Sequence, residues 1–96
     1  LSSYTLTNVT IVETGSSCVE KIGKNVHIAL SGLVPVDASK PFQISGLPKP
    51  DVRSQNILFN SSDGTIVFAY LDTTGILYSV GLAKGCYGEL NYMTSD

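Results

Sequence analysis

The chain has 96 residues, a formal net charge of −2 and only 15% charged side chains, against roughly 25% in an average soluble domain. Its hydrophobic content of 43% excludes a disordered tail, and its scattered cations exclude a nucleic-acid-binding surface, which needs clustered Lys and Arg. No apolar run reaches the roughly 18 residues of a membrane helix, so we expect no membrane insertion. We expect residues 1–96 to form one domain, and the first residue, Leu1 rather than Met, predicts a piece of a longer protein.

The first third of the chain alternates apolar and polar residues with a period of two. Residues 4–12 are rich in Thr and Val and predict a first strand. A turn follows, and Cys18–Ile22 predicts a short second strand. Apolar residues then occupy every second position over 26–30, which predicts a half-buried third strand.

All four prolines lie between Pro35 and Pro50. Proline removes a donor from the hydrogen-bond ladder, so this region predicts only a brief strand around Phe42–Ile44. The stretch Leu47–Pro50 predicts a rigid, extended crossover.

The last third of the chain returns to strand patterning. Asp63-Gly64 predicts a hairpin turn, Asp72–Gly75 predicts the next turn, and Gly85–Gly88 predicts an interruption before the last strand. The strands predicted here are 55–60, 65–71, 76–82 and 89–93. The whole pattern predicts an all-β domain, a Greek-key or jelly-roll sandwich or barrel of about seven to eight short antiparallel strands.

The strand at 65–71 is apolar on both faces. Ile66, Phe68 and Tyr70 share one face, and the alternate residues Val67, Ala69 and Leu71 share the other. The outer face of a small sandwich normally carries charges. We therefore expect other copies of the chain to bury it, the alternative being a tightly wrapped barrel that encloses both faces.

Cys18 and Cys86 are too far apart in sequence for a metal-type spacing. They are a candidate disulfide that would close most of the chain. The alternative is two small buried hydrophobic residues, which is how free cysteine usually behaves.

No constellation of catalytic residues stands out. His27 is the single histidine, so neither a Ser/His/Asp triad nor a multi-histidine metal site is predicted, and we expect His27 at the surface or at a subunit interface. No nucleotide or metal motif occurs. We therefore expect no enzyme activity, no cofactor and no metal site.

The tyrosines suggest contact with a ligand. Sugars present an apolar face and a rim of hydroxyls, and therefore favour aromatic rings beside carboxylates and amides. Tyr87 and Tyr92, together with Asp72 and Asn91, are the candidate ligand-binding residues. The chain has no Trp, which departs from many saccharide sites.

Four motifs follow one another along most of the chain. They are the G-x-x-V-x-I-x-L-x-G strand Gly23–Gly32, the proline-bearing segment Pro41–Pro48, the Asp63-Gly64 hairpin and the ending Gly85–Gly88. This layout, over about residues 4–92, resembles the C-terminal head domains of tailed-bacteriophage receptor-binding proteins and tail fibres.

The resemblance implies a β-barrel or jelly-roll head that forms a homotrimer and binds saccharide on the bacterial host surface, without cofactor or catalysis. It places the domain at the phage tail tip, outside the cell. Because binding residues vary most in this family, it assigns no site residue. Two alternatives are a structural accessory domain of a virion or surface appendage, without a ligand of its own, and a fragment of a secreted hydrolase, which the shortage of acid/base pairs disfavours.

Overall fold

The computed structural model describes residues 4–12, 17–37, 39–60, 62–80 and 85–95. These residues form nine β-strands and no helix. The strands are β1 (Thr5–Thr7), β2 (Val9–Ile11), β3 (Cys18–Ile22), β4 (Asn25–Pro35), β5 (Gln43–Ser45), β6 (Ser54–Asn60), β7 (Ile66–Leu71), β8 (Leu77–Val80) and β9 (Cys86–Met93). Among these described segments there is accordingly no helix long and apolar enough to cross a membrane.

All strand pairs are antiparallel and belong to one sheet. Its order is β1-β5-β8-β7-β6-β9-β4-β2, with β3 added alongside β4. Because only Asn8 separates β1 from β2, the two ends of this order meet in the chain, and the sheet is nearly closed into a barrel. The predicted all-β fold class is confirmed.

The second half of the chain follows a Greek-key path. Strands β6, β7 and β8 pair in succession, and β9 returns to lie beside β6, which is the spatial order that defines the motif. The two predicted turns are formed: the Gly64 amide donates to the Asn60 carbonyl, and the Gly75 amide donates to the Asp72 carbonyl.

The core fills the barrel from alternate positions of every long strand. Its members are Val9, Val26, Ile28, Leu30, Leu33, Phe42, Ile44, Leu47, Leu58, Val67, Ala69, Leu71, Leu77, Cys86 and Leu90. Strand β7 buries Val67, Ala69 and Leu71, whereas Ile66 and Phe68 on its outer face are 54% and 44% exposed. A single chain therefore does not enclose both faces, and that alternative was wrong.

The predicted first strand is divided at Asn8. Its φ of 60° lies in the left-handed region, which Asn tolerates better than most residues. The Asn8 Oδ1 accepts a hydrogen bond from the Asp37 amide at 2.8 Å, and Nδ2 donates to the carbonyls of Asp37, Lys40 and Pro41. These hydrogen bonds attach the bend between β1 and β2 to the loop that precedes β5.

Two strands are longer than predicted. Strand β4 continues past Gly32, whose φ is +67°, and its register with β9 shifts between Leu30 and Leu33 as in a β-bulge. Strand β9 begins at Cys86 and runs through Gly88, where a Cβ would lie 2.5 Å from Leu58 Cδ2. Gly88 therefore permits close approach of β6 rather than ending the strand.

Candidate functional site

A groove lies on the outer surface of β3, β4 and β9. The strand register places Glu20 opposite His27, and His27 opposite Asn91, so that these three side chains form one row across the three strands. We call them the polar row. Directly opposite residues lie roughly 4.5–5.5 Å apart, so a carboxylate, an imidazole and an amide follow one another at that spacing.

The next row supplies the apolar part of the groove. Ile22 lies opposite Asn25, and Asn25 lies opposite Met93. Ile22 is 75% exposed and Met93 is 55% exposed. The groove has a volume of about 430 Å³ and is lined by both rows together with Val26 and Tyr92. The groove is therefore shallow, with one polar row and one row in which two apolar side chains flank the Asn25 amide.

The carboxylate of Glu89 borders the polar row. Glu89 Oε2 lies 3.5 Å from His27 Nε2, and the Glu89 side chain is 68% exposed. A surface contact of this length contributes little to stability. The contact places a carboxylate oxygen beside the His27 imidazole. Glu89 therefore adds a further hydrogen-bond acceptor next to the polar row.

Two of the predicted residues meet in this groove and a third supports it. His27 and Asn91 lie directly opposite each other. Tyr92 lies on the inward side of β9, where its ring packs against the core and its hydroxyl donates to the Pro48 carbonyl at 2.7 Å. Tyr92, which was predicted as a ligand contact, therefore lines the groove from below with its hydroxyl bonded to Pro48.

Tyr87 faces outward in a different place. It precedes Asn91 by four residues on β9, which corresponds to about 13 Å along a strand. The Tyr87 ring centroid lies 5.7 Å from that of Phe59 on β6, and both rings line a second groove of about 510 Å³ with Ile57 and Glu89. The structure does not bring Tyr87 and Asn91 into one small site.

Asp72 is a turn residue rather than part of either groove. One of its carboxylate oxygens accepts hydrogen bonds from the amides of Thr74 and Ile76 and from the Thr74 hydroxyl. Strand β6 separates β7 from β9, which places Asp72 on the order of 10 Å from β9 in the sheet. The predicted grouping of Asp72 with the β9 residues was wrong.

Partial burial of the Asp72 carboxyl acts to raise its pKa. The hydrogen bonds from Thr74 and Ile76 and the nearby charge of Arg53 outweigh that effect, so the pKa of Asp72 lies below its ordinary value of 3.8. The ionised Asp72 carboxylate therefore stabilises the turn whose hydrogen bonds it accepts.

The two cysteines are free. Cys18 pairs with Ala29, and Cys86 pairs with Leu33, on opposite sides of β4. Two strand spacings and several residues along β4 separate them, which is well beyond the roughly 7 Å between Cα atoms that a disulfide spans. The candidate disulfide is not formed, and burial raises the pKa of the Cys86 thiol to about 11.

Sequence reasoning missed the remaining members of the groove, which are Glu20, Ile22, Asn25 and Met93. Their alternation on β3, β4 and β9 was visible, but it did not reveal which strands were neighbours. Within the described segments, no three His, Cys, Asp or Glu side chains are grouped to hold a metal ion, and every buried side-chain nitrogen or oxygen has a hydrogen-bond partner.

Comparison of the chain with protein-family models, with curated protein sequences and with solved structures finds no match. The resemblance to phage head domains therefore stays a hypothesis, and the function is argued from the groove and the surface beside it.

Proposed function

We propose that this domain is a non-catalytic adhesion module of a bacteriophage tail tip, which binds saccharide on the bacterial host surface and acts as a homotrimer. The observation that carries the proposal is the polar row of Glu20, His27 and Asn91 beside the exposed apolar side chains of Ile22 and Met93. The phage assignment itself depends on the resemblance of motif order.

The groove offers what a sugar requires. A carboxylate accepts hydrogen bonds from hydroxyls, and an amide both donates and accepts. Glu20 and Asn91 stand on either side of the His27 ring, so adjacent hydroxyls of one sugar have partners on neighbouring strands. The apolar side chains of Ile22 and Met93 lie one row further, on either side of Asn25, and each can pack against the CH face of a sugar ring.

The groove is shallow and its polar groups are exposed, so each site binds weakly. A homotrimer compensates because three linked sites on a repetitive surface raise the effective concentration of the second and third contacts. Weak single sites and multivalent display are therefore compatible with firm adhesion.

The test is a glycan array that carries oligosaccharides of glucose, galactose, rhamnose and N-acetylglucosamine, probed with the wild-type domain. Asn91→Ala and Glu20→Ala remove one partner each from exposed positions, and we expect each to reduce retention on the bound glycan by about tenfold, equivalent to about 1.4 kcal/mol. Thr10→Ala, an exposed polar residue on β2 outside the groove, is the matched control. Absence of any bound glycan, or equal retention by both groove variants and the control, contradicts the proposal.

A second candidate is the structural accessory domain. It is favoured by exposed apolar side chains on β6 and β7, among them Ile66 and Phe68, which suit assembly rather than recognition of a sugar. An assembled wild-type domain that retains no saccharide would support this candidate.

A further inference from the structure

Five large apolar side chains are exposed together on the outside of β6, β7 and β9. They are Ile57, Phe59, Ile66, Phe68 and Tyr87, with exposed fractions between 37% and 54%. We call this set the outer apolar face. Scattered apolar residues are normal at a protein surface, but a contiguous group is not.

The strand register makes the face continuous. Ile57 lies opposite Phe68, and Phe59 lies opposite Ile66 on one side and Tyr87 on the other. At the observed exposures, five side chains of this size leave on the order of 400–500 Å² of apolar surface. That is as large as the largest patch of a typical soluble monomer, and such patches are often functional.

We infer that the outer apolar face is the surface through which this chain binds further copies of itself. The inference deepens the proposed function, because it names the contact surface of the proposed homotrimer. The five side chains are aliphatic or aromatic and carry no charge, so copies meet here without like-charge repulsion.

The charges at the borders of the face also favour a second copy. Arg53 lies over the ring of Tyr70, 4.1 Å from its centroid, and Tyr70 follows Phe68 on the outer side of β7. Glu89 follows Tyr87 on the outer side of β9. The two borders therefore carry opposite charges, and a rotated copy can place one against the other.

The outer apolar face supplies about three quarters of the area that a specific interface needs, and its neighbours supply the rest. A specific interface buries at least about 1,200 Å² in total. The outer apolar face supplies on the order of 900 Å² from two copies, and the neighbouring side chains of Gln55 and Tyr70 enlarge it. The groove on β3, β4 and β9 shares β9 with this face, but its β9 member Asn91 lies about 13 Å along the strand from Tyr87. Glu89 lies between the two surfaces, and assembly leaves Glu20, His27 and Asn91 outside the outer apolar face.

Sedimentation velocity over a concentration series of the wild-type domain and its variants tests the inference. Phe68→Ser and Ile66→Ser remove apolar surface from the face, whereas Val36→Ser removes a 73% exposed apolar side chain elsewhere. We expect the wild type and Val36→Ser to assemble and both face variants to sediment as 10.2 kDa monomers. A monomeric wild type, or face variants that assemble like Val36→Ser, overturns the inference.

A second measurement on the unaltered domain covers the case in which a face variant does not fold. A soluble paramagnetic agent is added and methyl signals are followed by NMR. The methyl groups of Ile57 and Ile66 are expected to be protected in the assembly, whereas those of Ile22 are broadened. Equal broadening at all three residues overturns the inference.

The two proposals fail separately. Loss of saccharide binding in an intact assembly contradicts the adhesion function alone. A monomer that still binds an array glycan through Asn91 contradicts the outer apolar face and the homotrimer, and leaves saccharide binding in the groove standing.

Discussion

The rings of Phe59 and Tyr87 lie 5.7 Å apart, with an angle of 31° between their planes. The two residues are also paired across β6 and β9, whose described pairing consists of this pair and its neighbour Asn60–Cys86. The ring contact therefore reinforces the place where the Greek-key return strand joins the β6–β7 hairpin. The same two rings connect the β9 side of the outer apolar face to its β6 side.

Gly75 is predicted to be the least replaceable turn residue. Its φ is +82°, and a Cβ there would lie 2.3 Å from the Leu47 carbonyl oxygen. Because that neighbour is backbone, Gly75→Ala is expected to destabilise the domain by at least about 3 kcal/mol. Gly23→Ala is the matched control, since Gly23 has a φ of +60° and open space around it, and about 1 kcal/mol is expected there. Urea unfolding measures both, and equal losses would contradict the role assigned to the Leu47 contact.

Asn8 is predicted to stabilise the fold through its side chain as well as its backbone. Asn8→Gly keeps the left-handed φ but removes the hydrogen bonds to the loop at Asp37 and Pro41. We expect a loss of about 1–2 kcal/mol in the free energy of unfolding, since these bonds are partly solvent-exposed. Thr10→Ala, at an exposed position two residues on, is expected to change the free energy of unfolding by less than about 0.5 kcal/mol. An Asn8→Gly variant as stable as the wild type would show that the side chain is dispensable.

The two thiols are predicted to react very differently. Cys86 is fully buried, and a pKa of about 11 against the ordinary 9.0 lowers its thiolate fraction at neutral pH by about a hundredfold. Ellman's reagent is therefore expected to modify Cys18 in the native domain and both cysteines only after unfolding. If protein unfolded in the absence of reductant contains no free thiol, the two cysteines form a disulfide, which contradicts their placement on opposite sides of β4.

Asp72 is predicted to contribute to the acid sensitivity of the domain. Its pKa is lowered in the fold relative to 3.8, so its contribution to stability is present above pH 3.8 and is lost as the pH falls through the folded value. Asp72→Asn removes that titration, and its melting temperature is expected to fall less steeply below pH 3.8 than that of the wild type. Identical pH profiles would show that the turn gains nothing from the ionised carboxylate.

Local patterning predicted much of the fold. The period of two identified the inner residues of β4, and the Asp-Gly turn residues located the β6–β7 hairpin. Both faces of β7 are apolar, so its pattern did not show which face is inner. Gly88 was misinterpreted as a strand break. Its role is to leave room for Leu58 on β6, and its neighbours in sequence do not show that contact. Asn8 was read as an ordinary strand residue for the same reason, since its partners begin at Asp37.

The candidate site was less predictable than the fold. His27 and Asn91 were each selected, but for different roles, and only the β4–β9 register shows that they are opposite each other. Glu20 joins them through β3, a contact that no sequence pattern specified. Asp72 was grouped with β9 because both carried suitable chemistry, whereas the sheet order separates them by a strand.

The solution mass of the unaltered domain, measured by light scattering on a sizing column, tests the account most directly. Burial of the outer apolar face in the proposed homotrimer predicts a mass near three times 10.2 kDa. A mass of 10.2 kDa at every concentration would contradict self-association through Phe59, Phe68 and their neighbours.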